Sequence, residues 1–107
     1  MSTTGISPAA LLERIDRGER IAVLDVRSPT EFATGHVPGA VNVPFTRVLA
    51  GSDGVRAPKS QEIVVYCGHG PRAWLAGQAL RWSGYRRVTY LRGHMAAWRR
   101  AGLREER

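Results

Sequence analysis

Short apolar runs alternate with segments of helical spacing along most of this chain. The runs Ile21–Val26, Ile63–Tyr66 and Val88–Leu91 are nearly continuous in apolar residues, as is typical of strands buried on both faces of a parallel sheet. A brief strand is expected over Val41–Val43, after a turn at Val37–Ala40. Strands that alternate with helices indicate an α/β fold, with a mainly parallel central sheet flanked by helices on both faces.

The first two predicted helices have clear start and stop signals. Ser7 is a favourable N-cap, with Pro8 at the first helical position and Gly18 beyond the end. Ser28–Glu31 has the sequence of a capping box with a proline at its first helical position. A short helix is therefore expected there, and Gly35 should end it.

Two further helices are expected, over Arg72–Trp82 and Met95–Arg100. One apolar side of the first should face the core, formed by Leu75, Ala76, Ala79 and Leu80. Trp98 is expected to pack the second helix, and all three tryptophans are predicted to lie in the core with the other aromatic residues. Ala50–Pro58, rich in Gly, Ser and Asp, is predicted to be an exposed loop.

Length and composition indicate one globular domain spanning residues 1–107. The chain is 43% hydrophobic and 23% charged, which is the mix of a folded protein and not of a disordered one. Its first ten residues lack the basic start and apolar stretch of a secretory signal. No apolar run approaches the roughly 20 residues of a membrane span. A cytoplasmic location without membrane contact is therefore expected.

The net charge of +7 raises the question of nucleic-acid binding. Of the 16 basic residues all but Lys59 are arginine, and they are scattered, with small clusters at Arg86-Arg87 and Arg99-Arg100. No basic helix interleaved with aromatic residues and no nucleic-acid motif accompanies them. We expect no nucleic-acid partner and interpret the charge as a solvated surface, with steering of small anions as the alternative.

Cys67 is the only cysteine, so it is either a buried apolar residue or a reactive thiol. The segment Cys67–Arg72 (Cys-Gly-His-Gly-Pro-Arg) joins a buried strand to a helix, at the edge where α/β sheets bind ligands. Unpaired N–H groups at the helix start, two glycines that permit a curled loop and the charge of Arg72 all favour an anion there. Such a setting stabilises a thiolate, which favours the reactive interpretation.

Taken in order, these motifs resemble the rhodanese family over nearly the whole chain. The matching segments are Leu24-Asp25-Val26-Arg27, Glu31-Phe32, Gly35-His36-Val37-Pro38-Gly39-Ala40, Val41-Asn42-Val43-Pro44, the loop from Cys67 to Arg72, and the closing Gly93 and Trp98. Two positions depart from the family pattern. Ala73 stands where many relatives have a small hydroxyl residue, and His94 replaces the second glycine of the closing pair. Both departures are expected to affect rate and substrate, not reaction type.

The resemblance implies a sulfurtransferase that needs no cofactor. Cys67 would accept the outer sulfur of a small anionic donor such as thiosulfate, and the persulfide would pass it to cyanide, a dithiol or a sulfur-carrier protein. Loop N–H groups would hold the negative charge of the transferred sulfur. The resemblance assigns the loop residues to substrate binding, with Arg72 attracting the donor's sulfonate; they are Gly68, His69, Gly70, Pro71 and Arg72.

Other polar residues are expected near this loop. For Asp25 and Arg27, an ion pair that braces the site is favoured over an Arg27 that faces the substrate. Glu31 is interpreted as the capping-box residue, and His36 as architectural. His69 could support the anion when protonated, but an exposed loop histidine is favoured. The three histidines and the cysteine lack metal-ligand spacing, so no metal is expected.

Two other functional classes stay open. Phosphatases and arsenate reductases related to this family place an arginine-terminated cysteine loop around an oxyanion, with one residue more than the four between Cys67 and Arg72. Other relatives are non-catalytic binding modules, and these commonly lose the cysteine. The shorter loop and the retained Cys67 favour sulfur transfer.

Overall fold

The computed structural model describes residues 5–51 and 54–107. Its strands are β1 (Gly5–Ile6), β2 (Ala22–Asp25), β3 (Val41–Asn42), β4 (Ile63–Tyr66) and β5 (Val88–Leu91). They form one sheet in the order β1-β5-β4-β2-β3, in which every pair of neighbours is parallel. The predicted α/β class and parallel sheet are confirmed, whereas the sequence pattern does not predict β1. Residues 1–4 of the segment searched for a secretory signal lie outside the described residues.

The helices are α1 (Pro8–Asp16), α2 (Pro29–Ala33), α3 (Phe45–Ala50), α4 (Pro71–Trp82) and α5 (His94–Arg100). The first two begin as predicted. The Ser7 hydroxyl accepts the Ala10 N–H at 3.2 Å, and Ser28 and Glu31 form the reciprocal bonds of a capping box. The sequence pattern does not predict α3. Among the described residues, no helix combines the length and the hydrophobicity needed to cross a membrane.

The side chains of β4 enter two separate hydrophobic clusters, because successive strand residues point to opposite faces of a sheet. Ile63, Val65 and Cys67 pack in one cluster with α3 and α4. Val64 and Tyr66 pack in the other with α1 and α5. Helices therefore cover both faces, as predicted, and Cys67 belongs to the α3/α4 side.

The face that α4 turns to the sheet differs from the prediction. Leu75 is 42% exposed and Ala79 is half-buried. The contact surface centres on Gly77, where a Cβ would lie 2.7 Å from Cζ of Tyr90 on β5. This close approach rotates Leu75 toward solvent, so its predicted inner position is wrong. The buried residues of α4 are Ala73, Ala76, Gly77 and Leu80.

The prediction that all three tryptophans lie in the core is also wrong. Trp98 is fully buried, and its indole N–H donates to the Arg104 carbonyl at 3.0 Å. Trp74 is half exposed and Trp82 is 92% exposed. Both lie on the solvent side of α4, because small residues occupy the side that packs on the sheet.

The segment Ala50–Pro58 is only partly the exposed loop that its composition predicts. Val55 and Ala57 are half-buried against the α3/α4 cluster. Their carbonyls accept the buried Tyr85 hydroxyl at 3.2 and 2.8 Å. These contacts tie the segment to the core, and Ser52–Asp53 within it lie outside the described residues.

Candidate active site

Cys67 follows the central strand β4 at the carboxyl edge of the sheet and begins the cysteine loop, residues 67–72. The chain curls at Gly70, whose φ of 139° is unfavourable for residues with a Cβ. The Gly70 N–H points back and donates to Cys67 Sγ at 3.0 Å. Helix α4 begins directly afterwards with Pro71 at its first position. An N–H donor on the sulfur favours a thiolate or persulfide anion.

The thiol has no exposed surface. Cys67 is 0% exposed and packs in the α3/α4 cluster, whereas His69 at the tip of the cysteine loop is exposed, as favoured from the sequence. Because even water does not touch Cys67 in this conformation, a donor as large as thiosulfate reaches Sγ only when loop atoms shift. The access route therefore depends on what holds the loop in place.

The first turn of α5 holds the cysteine loop through three hydrogen bonds. Met95 N–H donates to the Cys67 carbonyl at 2.9 Å, and Ala96 N–H donates to the Gly68 carbonyl at 3.2 Å. In the third, Cys67 N–H donates to His94 Nδ1 at 3.2 Å. Sequence reasoning expected only an altered turn at His94 and missed this contact. The signal was present, because a large side chain stands where relatives have glycine.

The side chain of Arg72, the last residue of the loop, folds back toward Gly68 and binds a carboxylate. Its Nη2 would lie 3.3 Å from a Cβ placed on Gly68, and its Nη1 and Nη2 donate to the two Glu31 carboxylate oxygens at 2.7 and 3.1 Å. Chiefly through this pairing, the pKa of Glu31 is lowered to about 2. Glu31 thus has a second partner besides its capping box. A donor's sulfonate would have to compete with a carboxylate for Arg72.

Asp25 and Arg27 form a buried ion pair at the end of β2, the strand next to β4. Arg27 Nε lies 3.1 Å from both Asp25 carboxylate oxygens, and Nη2 donates to one of them at 2.8 Å. The same Nη2 donates to the Gly35 carbonyl at 2.7 Å. Asp25 is 0% and Arg27 3% exposed. The ion pair favoured from the sequence is present, and its support of catalysis stays a prediction.

Two further polar side chains are part of the scaffold around the site. The Tyr66 hydroxyl, next in sequence to Cys67, accepts the Val37 N–H at 3.0 Å. Burial, and then the neighbouring Asp25, raise the pKa of Tyr66. The buried His36 donates from Nδ1 to the Phe32 carbonyl at 3.0 Å and stacks on the Phe32 ring. These contacts are consistent with the architectural role expected for His36.

Residues 5–51 and 54–107 could contain binding features other than the cysteine loop, such as a metal site or a cavity. Within these ranges, His, Cys, Asp and Glu form no group of three or more that could hold a metal ion. A cavity of about 420 Å³ opens beside the edge of β2 and β3, with Arg47 and Arg56 in its wall. No residue of the cysteine loop lines it.

Comparisons with known proteins identify the family. A family model of the rhodanese-like domain matches residues 7–101, so the chain belongs to the rhodanese-like domain family. The chain is 35% identical over 98 residues to a sulfurtransferase of Allochromatium vinosum, covering 92% of this chain and 90% of that protein. It is 31% identical to a probable adenylyltransferase/sulfurtransferase of Mycobacterium tuberculosis, covering 87% of this chain but only 24% of that protein.

The fold agrees with this family. The structure matches that of a human single-domain sulfurtransferase with a TM-score of 0.78 and 26% sequence identity, covering 92% of this chain and 97% of that one. The five-stranded parallel sheet with interleaved helices is thus the rhodanese fold. The family and fold predicted from the sequence motifs are confirmed.

Proposed function

We propose that this rhodanese-like protein is a sulfurtransferase that moves sulfur from a small anionic donor, such as thiosulfate, to a thiophilic acceptor through a Cys67 persulfide. The observation that carries the proposal is the hydrogen bond from Gly70 N–H to Cys67 Sγ at 3.0 Å. A fixed N–H dipole stabilises negative charge where it develops on sulfur. The similarity to sulfurtransferases of about the same length, from Allochromatium vinosum and human, supports the reaction class.

The reaction consists of two displacements on sulfur. In the first, the Cys67 thiolate attacks the outer sulfur of thiosulfate. A new S–S bond forms to Cys67, the S–S bond of thiosulfate breaks, and sulfite leaves with its electron pair. In the second, the carbon of cyanide, or a thiolate of a dithiol or carrier protein, attacks the outer persulfide sulfur and Cys67 leaves as thiolate. Charge balances in both steps, and neither requires a cofactor.

Donor binding changes the partners of Arg72. Arg72 and Glu31 have side chains that are 33% and 41% exposed, and an ion pair of that exposure contributes little to stability. The guanidinium can therefore exchange Glu31 for the donor's sulfonate at small cost. The same shift would open the space next to Gly68 that Arg72 Nη2 occupies. Arg72 thus couples arrival of an anionic donor to access to the sulfur.

The test compares two reactions of one preparation. We expect thiosulfate and cyanide to give thiocyanate, and Cys67→Ser to give none. Aryl phosphate hydrolysis should be negligible, because four residues between Cys67 and Arg72 make a narrower cradle than phosphatases have, and errors near 1 Å cost about a hundredfold in rate. Aryl phosphate hydrolysis that depends on Cys67, without sulfur transfer, would refute the proposal.

A further inference from the structure

His94 adopts a backbone conformation that glycine would adopt without cost. Its φ of 56° lies in the left-handed region, where residues with a Cβ are uncommon, although histidine is found there more often than most. The residue before it, Gly93, has a φ of 71°. A glycine would thus suit the backbone at 94 as well. A strained residue persists when its surroundings hold it, and such strain clusters at functional sites.

The imidazole of His94 spans the cysteine loop from its first residue to its last glycine. Nδ1 accepts the N–H of Cys67 at 3.2 Å, and a Cβ placed on Gly70 would lie 3.4 Å from Nε2. Gly70 is the residue whose N–H donates to Cys67 Sγ. Because Nδ1 acts as the acceptor, the neutral ring carries its proton on Nε2. One side chain therefore bonds the first residue of the turn that surrounds the sulfur and fills the space where a side chain at Gly70 would lie.

We propose that His94 is a positioning residue for sulfur transfer, whose neutral ring fixes the Cys67 peptide and limits the space beside Gly70, so that the Gly70 N–H stays aimed at the sulfur. This proposal rests on the function proposed above. His94 contacts the loop backbone and not Sγ, so it acts through the loop. Its loss should lower kcat, since the donors around the sulfur become less ordered, while KM for the sulfur donor changes little.

Protonation of His94 should remove one of the three hydrogen bonds that hold the loop. A second ring proton occupies Nδ1, which then cannot accept the Cys67 N–H. Of the ionisable residues on the loop, Cys67 bonds the ring through its backbone N–H and His69 acts on the ring through its charge. Burial of the ring, and then the charge of His69, lower the pKa of His94 below its ordinary value of 6.5. The contact is therefore intact at neutral pH and is lost as the pH falls from about 6.5 through that lowered pKa.

The experiment compares the protein with His94→Gly and His94→Asn, measuring kcat and KM for thiosulfate:cyanide transfer from about pH 5 to about pH 8. His94→Gly should lose about tenfold in kcat at neutral pH, because displacements near 1 Å can cost about a hundredfold. Asparagine tolerates positive φ and offers an oxygen acceptor that does not titrate. His94→Asn should therefore recover much of kcat. It should also lose the part of the fall in kcat at acid pH (the acid limb) that is due to protonation of His94.

Two measurements separate positioning from a general effect on folding. His94→Asn should melt close to the temperature of the unchanged protein, since asparagine tolerates positive φ and keeps an acceptor for the Cys67 N–H. Nitrogen NMR of the imidazole at neutral pH should show the proton on Nε2.

A further variant tests the electrostatics of the ring. His69→Asn should move the acid limb of kcat that is due to His94 to higher pH, because it removes a charge that opposes protonation of His94.

The proposal is overturned if His94→Gly keeps both kcat and the acid limb, or if the neutral ring carries its proton on Nδ1. Failure of the underlying function looks different. In that case the unchanged protein itself transfers no sulfur, while the NMR result and the melting temperatures still report on the contact with Cys67.

Discussion

The buried pair of Asp25 and Arg27 predicts a large loss of stability when the arginine is replaced. Arg27→Met keeps most of the side-chain length but removes the guanidinium. The Asp25 carboxylate, 0% exposed, then loses three nitrogen–oxygen contacts of 2.8 to 3.1 Å. It keeps the bond from the backbone N–H of residue 27, at 2.9 Å. Neutral donors, this N–H and the hydroxyl of Tyr66, which is hydrogen-bonded to Asp25, do not compensate a charge that water cannot reach.

The expected size follows from this burial. Breaking a buried ion pair by removing one partner typically costs about 3 to 5 kcal/mol. The Gly35 carbonyl also loses its donor from Arg27, at 2.7 Å. In a domain of about this size 1 kcal/mol lowers Tm by about 4 °C or more, so Tm should fall by about 12 °C or more. The matched control is Arg104→Met, because Arg104 pairs with Asp16 at the surface and should leave Tm almost unchanged.

The assay is urea unfolding followed by circular dichroism, with Tm as a second readout. A double variant, Asp25→Asn with Arg27→Met, tests the cause, because it removes the uncompensated charge together with its partner. We expect the double variant to be more stable than Arg27→Met alone. The explanation is refuted if Arg27→Met lowers the free energy of unfolding by less than about 1 kcal/mol, or if the double variant is less stable than Arg27→Met. Either result would show that Arg27 does not act by compensating the buried charge of Asp25.

Two further predictions concern packing and charge at α4. Gly77→Ala should lower the free energy of unfolding by about 1 to 3 kcal/mol through overpacking against Tyr90. Tyr90→Phe should leave that free energy nearly unchanged in urea unfolding, since among the described residues the Tyr90 hydroxyl is buried without a hydrogen-bond partner. A loss for Tyr90→Phe as large as that for Gly77→Ala would contradict this. Glu31→Gln keeps a capping-box acceptor but frees the charge of Arg72, so KM for thiosulfate should fall while Tm changes little. An unchanged KM at low salt would show that Glu31 does not compete with the donor.

Much of the fold follows from local sequence signals. A serine before a proline fixes the starts of α1 and α2, and the apolar runs of β2, β4 and β5 identify buried strands. The cysteine loop is predictable for the same reason, because its chemistry is contained in six consecutive residues. Two elements without such signals escape prediction, the two-residue β1 and the short α3.

What the sequence does not predict depends on contacts between distant residues. The packing face of α4 is set by Tyr90 of β5, so the periodicity of the helix alone places Leu75 inward. The contact from His94 to Cys67 joins α5 to the loop after β4. No motif specifies such an approach. Only the departure from the glycine of the family marks position 94 as unusual.

The most direct test of the central claim is the intact mass of the protein after incubation with thiosulfate and removal of the excess. We expect a gain equal to one sulfur atom, lost again when cyanide or a dithiol is added. Cys67→Ser should gain nothing, and because Cys67 is the only cysteine, no other thiol can carry the added sulfur. An unchanged mass for the unmodified protein with thiosulfate and with alternative anionic sulfane donors, or equal sulfur loading of Cys67→Ser, would contradict the claim that Cys67 carries the sulfur.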